Sequence, residues 1–276
     1  MPQEEKLESR LVRESWVNPA NFLKAKDEQI KSGKSLYSTL IRMGYLSEER
    51  IYEFFSQAAL IPFVKLSDYK LDSSVVKIFP ERSYREHIFL PLLKIDDTIY
   101  VCMANPVDAN LISTLEAQSS SQIFPMFASP SEIQRSIDTI FGPDDRFFDL
   151  EDLIIYPQSM GAMPFWRESD RLSIKMETEF KLVDERLKLV SSAYVPATIC
   201  DISSSGKAMG FKSIVFMPPT MKLLLRFPSK APDCEVKAEI MRCTLEKGGK
   251  YIVGVKLTEI REDLLAAILK DAAKPI

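Results

Sequence analysis

A single histidine, His87, stands in the whole of the 276-residue chain, and its four cysteines, Cys102, Cys200, Cys234 and Cys243, are widely spaced with no CxxC pair. Structural zinc draws its ligands from clusters of these two residue types, so no zinc site is expected and the cysteines are read as buried thiols. A large excess of charge of one sign is missing too. The 36 Lys+Arg stand against 39 Asp+Glu, a net −3, so the basic domain that DNA or RNA binding usually shows is absent and an anionic ligand must be caught locally. No apolar run reaches the length of about eighteen residues needed to span a bilayer. The opening Met1-Pro2-Gln3-Glu4-Glu5-Lys6 has no apolar leader, so a cytoplasmic chain is expected.

Catalytic sets are also lacking. No nucleophile–base pairing, metal set or phosphate loop can be assembled, so no enzyme is expected and no cofactor is implied. Gly33-Lys34-Ser35 has the look of a P-loop end, but Glu28 stands where the first glycine belongs. The segment reads as a helix-to-helix turn with Gly33 as a C-cap.

What is present is apolar content of 46%, enough over this length for two cores and hence two domains. From Leu7 to about Ala59 the pattern is helical and comes in two halves: Leu7, Leu11, Val12, Phe22 and Gln29 are echoed by Leu36, Leu40, Ile41, Ile51 and Ala58. Asn18-Pro19 and Gly44-Tyr45-Leu46-Ser47 supply the turns, with Ser47 an N-cap and Arg50 where a capping box would want Glu. After Pro62 the texture changes to short alternating elements. Ile88 to Ile95 and Thr98 to Met103 read as a hairpin split by Asp96-Asp97, followed by a helix from about Val107, a strand at Ile123 to Phe127 and a capped helix from Ser131 to Phe141.

The order of these elements, with Ala59-Leu60-Ile61-Pro62-Phe63-Val64-Lys65-Leu66, Phe79-Pro80-Glu81-Arg82, Leu90-Pro91-Leu92, Val101-Cys102-Met103-Ala104-Asn105-Pro106-Val107-Asp108 and Phe127-Ala128-Ser129-Pro130-Ser131-Glu132-Ile133, resembles the N-terminal domain of type II secretion and type IV pilus assembly ATPases, also called MshEN. One branch of that family binds cyclic di-GMP through helical halves that each begin Arg-Leu-Gly and later hold another glycine and a glutamine. Here the halves offer Lys6-Leu7-Glu8, Ser15 and Gln29, then Ser35-Leu36-Tyr37, Gly44 and Ala58. The resemblance therefore implies the fold without that ligand site.

Residues Pro143 to Phe165 mix breakers with the apolar cluster Phe147, Phe148, Leu150, Leu153, Ile154, Ile155 and Tyr156. That is more apolar than a free tether and reads as a linker that docks on a domain or a partner. From Leu172 the period becomes two: Ile174, Met176, Thr178, Phe180 and Leu182 alternate with polar residues. Val195 to Ile202, Lys222 to Phe227, Glu235 to Thr244 and Tyr251 to Leu257 read as further strands, and about six strands at short intervals suggest a small closed barrel. A final amphipathic helix, Arg261 to Ala273, carries Leu264, Leu265, Ile268 and Leu269 on one stripe.

Two short motifs sit on this half, Arg167-Glu168-Ser169-Asp170-Arg171 and Asp201-Ile202-Ser203-Ser204-Ser205-Gly206. Taken singly, an RxxxR pair reads as two solvated arginines and DxSxxG as a strand-ending turn. Together they make a fork-shaped anion trap beside groups suited to a guanine: paired guanidinium donors, a carboxylate for ring N–H and amino groups, a hydroxyl, and a glycine that permits close approach.

RxxxR followed by [D/N]xSxxG resembles the PilZ domain, as does Val253-Gly254-Val255-Lys256-Leu257 ahead of the last helix. The resemblance implies cyclic di-GMP as ligand. Arg167 and Arg171 would clamp phosphates and guanine edges, Asp201 would read a guanine's Watson–Crick face, Ser203 would add a polar contact and Gly206 would admit close approach. Trp166 either covers an outer base or packs as a core aromatic.

The expected whole is an α+β protein in three parts. An MshEN-like domain spans 1–142, a linker 143–165, and a PilZ domain of six antiparallel strands with a C-terminal helix 166–276. Its expected role is a cyclic di-GMP receptor that couples binding to domain rearrangement and to a protein partner in pilus, secretion, motility or biofilm control. The alternative is a ligand-independent adaptor.

Overall fold

The computed structural model describes residues 7–71, 73–143, 171–189, 193–246 and 250–272. Among these, 7–66 and 73–143 form one compact unit and 67–71 with 171–272 the other. Trp166, Arg167 and the linker lie outside the described residues.

The first unit opens with the repeated helical pairs. Helix α1 (Leu7–Arg13) leads to α2 (Pro19–Ser32), and α3 (Leu36–Arg42) to α4 (Glu48–Ala59). Each pair joins by the same device. Trp16 and Val17 donate their backbone N–H groups to Leu11 O, and Tyr45 and Leu46 donate theirs to Leu40 O. Both joints need a left-handed residue, which Gly44 (φ +69°) provides and Ser15 (φ +59°) adopts against its preference. Asn18 Oδ1 accepts from Ala20 N, Pro19 begins α2, and Ser47 Oγ accepts from Arg50 N, as the sequence indicates. Arg50, the residue foreign to a capping box, lies 4.4 Å over the Trp16 ring and pairs with Glu53. Gly33 ends α2 at φ +70° with its N–H on Gln29 O, and Ser35 caps α3, so the P-loop look-alike is a pair of helix caps.

The core of these helices is aromatic. Tyr37, Tyr52, Phe54 and Phe55 are buried with Phe127, edge to face or tilted at 4.9 to 6.3 Å between ring centres. In chain order follow β1 (Tyr69–Lys70), which belongs to the second unit, then α5 (Ser73–Val76), α6 (Glu81–His87), β2 (Phe89–Ile95), β3 (Thr98–Met103), α7 (Ala109–Ser119), β4 (Gln122–Phe127) and α8 (Pro130–Phe141). Strands β2 and β3 pair antiparallel, and β4 adds parallel to β3. The parallel step needs a crossover, which α7 supplies.

Of the boundaries that differ from the sequence reading, two have a clear physical cause. Ile88 is a left-handed helix cap (φ +46°), so the strand begins at Phe89, and Pro91 is tolerated beside a register shift. Ser129 precedes α8 without a side-chain cap; Glu48 of α4 accepts from the Ser131 N–H and hydroxyl instead. That cap is tertiary and carries no local signature.

The second unit is a closed barrel. Its strands are β5 (Arg171–Leu182), β7 (Val195–Ser203), β8 (Ala208–Ser213), β9 (Lys222–Phe227), β10 (Ala231–Leu245) and β11 (Tyr251–Glu259), in the order β10-β11-β8-β7-β5-β9, every pairing antiparallel. Phe180, Ile199, Ile202, Phe211, Leu225, Val236, Ile240 and Val253 fill it, all fully buried. The short β6 (Lys188–Leu189) lies between β5 and β7 and pairs with β1, setting Tyr69 opposite Leu189. Tyr69 is buried there and donates its hydroxyl to Phe216 O at 2.7 Å. Helix α9 (Glu262–Ala272) packs on β5 with Leu264 and Ile268 buried.

All four cysteines are free. Cys102 is buried, whereas Cys200, Cys234 and Cys243 are partly accessible. The expectation of buried thiols holds for Cys102 in β3 and for Cys243, whose thiol pKa burial pushes up to about 12; Cys200 sits at a β7 register shift, which breaks the alternation that would bury it.

Candidate functional site

The last residue of the first motif meets the second motif through strand register. In the β5–β7 pair, Arg171 stands opposite Ser203, Leu172 opposite Ile202 and Ser173 opposite Asp201. Arg171 is the first residue of β5 and Ser203 the last of β7, so both lie at one end of the barrel. Arg167 and Trp166 lie outside the described residues.

Ser203 is 4% exposed and its hydroxyl accepts from Ala208 N at 3.0 Å, with Ser205 Oγ 3.1 Å away. Its carbonyl accepts from Gly206 N at 2.8 Å. These bonds close the corner from β7 to β8, and Gly206 takes it at φ +69°. A Cβ on Gly206 would collide with Leu265 Cδ1 and stand 3.2 Å from Leu265 Cγ. Gly206 is thus where α9 comes down on the corner, a duty the DxSxxG pattern does not advertise.

Asp201 points off the outer face of β7 and across to β8. Its partner there is Gly210, and a Cβ on Gly210 would lie 2.7 and 2.9 Å from the two carboxylate oxygens. The carboxylate therefore covers the glycine. The Cys200 thiol donates to Gly210 O at 3.2 Å, and burial, with Asp201 next to it, pushes that thiol's pKa up. The excursion after β5 is pinned by Asp184, which accepts two guanidinium bonds from Arg186 at 2.9 and 2.8 Å and one from Lys222 N at 3.2 Å. The Arg186 bonds hold the Asp184 carboxyl below its ordinary pKa against the opposing effect of burial. A hollow of about 520 Å³ lies between Val183, Lys222, Leu224, Lys237, Glu239 and Thr258 and contains none of the motif residues.

Sequence reasoning missed β8. Its signal was present in the alternation of Met209 and Phe211 with Gly210 and Lys212, but the string is short and glycine weakened it. Nothing in the sequence marked the contribution of Tyr69, because a two-residue strand has no period. Among the described residues, no group of three or more His, Cys, Asp or Glu could hold a metal ion, and no helix is long and apolar enough to cross a membrane.

The described residues thus form a helical and α/β unit and a six-stranded barrel with Arg171 and Ser203 at one barrel end. The family models give this chain a place: the MshEN domain model matches residues 60–147 and the PilZ domain model matches residues 166–271. The chain carries an MshEN domain followed by a PilZ domain. It is 24% identical over 144 residues to the type IV pilus assembly ATPase PilB of Myxococcus xanthus (strain DK1622), a match covering 52% of this chain and 25% of that protein. The chain thus spans about a quarter of the length of that curated relative. Among solved structures, one of MshE with cdg is 27% identical with a TM-score of 0.43, covering 50% of this chain and 99% of that one. The N-terminal domain of XpsE is 19% identical with a TM-score of 0.38, covering 48% of this chain and 91% of that one.

Proposed function

We propose that the chain is a non-enzymatic cyclic di-GMP receptor of the cytoplasm, divided as an MshEN-like domain at 1–142, a linker at 143–165 and a PilZ domain at 166–276. The observation that carries this reading is the β5–β7 register, which sets Arg171 opposite Ser203 and Ser173 opposite Asp201. The last residue of one motif is thereby beside the other motif on an adjacent strand. In this reading Arg167 and Arg171 clamp the phosphates and guanine edges, and Asp201 takes the ring N–H and amino group of a guanine. Ser203 adds a polar contact, Gly206 keeps the corner close-packed under α9 rather than open to the ligand, and Trp166 stacks on an outer base. A flat, doubly charged ligand favours arginine over lysine, since guanidinium both pairs bidentately and stacks.

The PilZ match supports the ligand, and the likeness to a pilus assembly ATPase supports a partner in pilus, secretion or motility machinery. Filling the site reorients the two domains, so that the MshEN-like domain presents or withholds a surface for that partner. Scattering curves with and without ligand test the coupling; identical curves at saturation refute it.

A second reading, a ligand-independent adaptor, is favoured by one observation. Ser203 is nearly buried and its hydroxyl is engaged by Ala208 N, so that part of the motif serves the corner. Calorimetry separates the two. The receptor binds cyclic di-GMP and loses about two orders of magnitude in affinity in Arg167→Ala or Arg171→Ala, an estimate from one lost bidentate pair. A wild-type chain that binds no cyclic di-GMP is an adaptor.

A further inference from the structure

The chain passes between its two units more than once. It crosses at 66/67, returns at 71/72, and crosses again beyond Pro143. The short visit, 67–71, is anchored on both sides of its first crossing. Leu66, where the first unit is left, is buried, and its N–H donates at 3.0 Å to Oε2 of Glu132 in α8. Tyr69, in the second unit, is buried, pairs with Leu189 and donates its hydroxyl to Phe216 O at 2.7 Å.

Only Ser67 and Asp68 stand between these anchors, within a single 3₁₀ turn over Leu66–Asp68. At 3.8 Å per residue step the anchors lie at most about 11 Å apart. On the return a single residue, Asp72, separates Leu71 from Ser73 at the start of α5, a reach of at most about 8 Å. The stretch from Pro143 to Arg171 is long enough to reach about 100 Å when extended. The comparison decides which connection directs movement. Two short ties define an axis, and motion that leaves both intact is rotation about the line through them; one long tether defines no axis.

The tie also has a continuous route to the motif end of the barrel. Arg171 opens β5, which runs to Leu182. The exit of that strand is fixed on β9: Val183 N donates to Lys222 O at 3.1 Å, and Asp184 accepts from Lys222 N and from Arg186. Leu187 is buried, and Lys188 and Leu189 then pair with Lys70 and Tyr69. One strand and a short pinned turn, 183–187, therefore separate the last residue of the first motif from the tie. A displacement of β5 is passed to β6, and from β6 to β1.

We propose that segment 67–71, anchored by Tyr69, is the hinge through which the barrel moves the first unit, in place of the 143–165 linker. The inference rests on the receptor reading and names the element that carries its reorientation. Tyr69 acts in it as a positioning residue, fixing the axis without touching ligand.

The test places a Gly-Ser-Gly-Ser insertion in the full chain, at both crossings (after Leu66 and after Leu71) in one variant and in the linker after Ser159 in another. Each variant and the wild type are titrated with cyclic di-GMP by calorimetry and measured by scattering with and without it. The expected result is that wild type and the linker variant change their scattering curves on binding, whereas the crossing variant binds within twofold of wild type and its curve no longer responds to ligand. A crossing variant that keeps the full change, or a linker variant that loses it, overturns the hinge and leaves the receptor reading standing. A wild type that binds with no change in its curve overturns the coupling and the hinge together, and a wild type that binds no cyclic di-GMP overturns the receptor reading and the hinge with it. Should the crossing variant fail to fold, Tyr69→Phe, which removes only the hydroxyl bond to Phe216 O, takes its place: unchanged affinity with a smaller scattering change supports the hinge, and an undiminished change overturns it.

Discussion

Replacing Gly206 with alanine strikes two costs at once, and the structure separates them. The residue sits at φ +69°, where a Cβ costs about 1 kcal/mol against the preceding carbonyl. The new methyl also enters the space of Leu265, a residue of α9. Leu265 must rotate or α9 must lift, a strain of about 1 kcal/mol or more. The sum is about 2 kcal/mol, a fall in melting temperature on the order of 10 °C for a unit of this size. Because the damage is local to the corner and α9, amide exchange should speed in 203–208 and along α9 while the helical pairs of the first unit keep their protection. A double-mutant cycle isolates the parts. In a Leu265→Ala background the steric cost disappears and Gly206→Ala retains only the backbone cost, a coupling of about 1 kcal/mol. Urea unfolding of the four proteins measures it. A single mutant within about 0.3 kcal/mol of wild type, or a cycle with no coupling, refutes the account of Gly206 as the seat of α9.

Ser15 occupies at φ +59° the place that Gly44 holds in the second helical pair; Ser15→Gly should stabilise the first unit by about 0.5–1 kcal/mol and Gly44→Ser should cost about 1, read from paired melting curves. Asp184 contributes stability through a depressed pKa, so the contribution is present above the ordinary aspartate value of about 3.9 and is lost as pH falls through the lower, folded value. Asp184→Asn should therefore destabilise the barrel at pH 7 and lose that effect as pH falls through the depressed folded value; a difference independent of pH contradicts the assignment. The calorimetric comparison of Arg167→Ala and Arg171→Ala completes the set.

The sequence was most legible where a residue type has one physical use. Asn18-Pro19, Gly33 and Ser47 were read as caps and turn residues and are found in those roles, because a cap is a local bond that the flanking residues alone decide. The two helical halves were legible through their apolar spacing, and the structure extends the likeness to the backbone bonds of each joint. The barrel was read from alternation, which is strong in β5 and β9 and fails in β8, where Gly210 contributes no side chain to the pattern. The motif residues were legible as types, but their meeting depends on the β5–β7 register, which includes a shift between Ser173 and Met176 that no short window contains. Glu48 capping α8 from a distant helix and Arg242 lying over Gly254 are likewise products of tertiary placement.

The strand β1 has a consequence for how the chain is made. Tyr69 leaves the ribosome long before its hydroxyl's acceptor, Phe216, which lies 147 residues further on, and before the β6 residues with which it pairs. Domains tend to fold as they emerge, yet this buried tyrosine belongs to a unit whose strands have not been synthesised. The segment 67–71 must therefore wait, solvated, while the residues around it fold, and it is fixed only when the barrel closes. A gene cut anywhere between Asp72 and Trp166 to express the barrel by itself would discard its earliest-made piece.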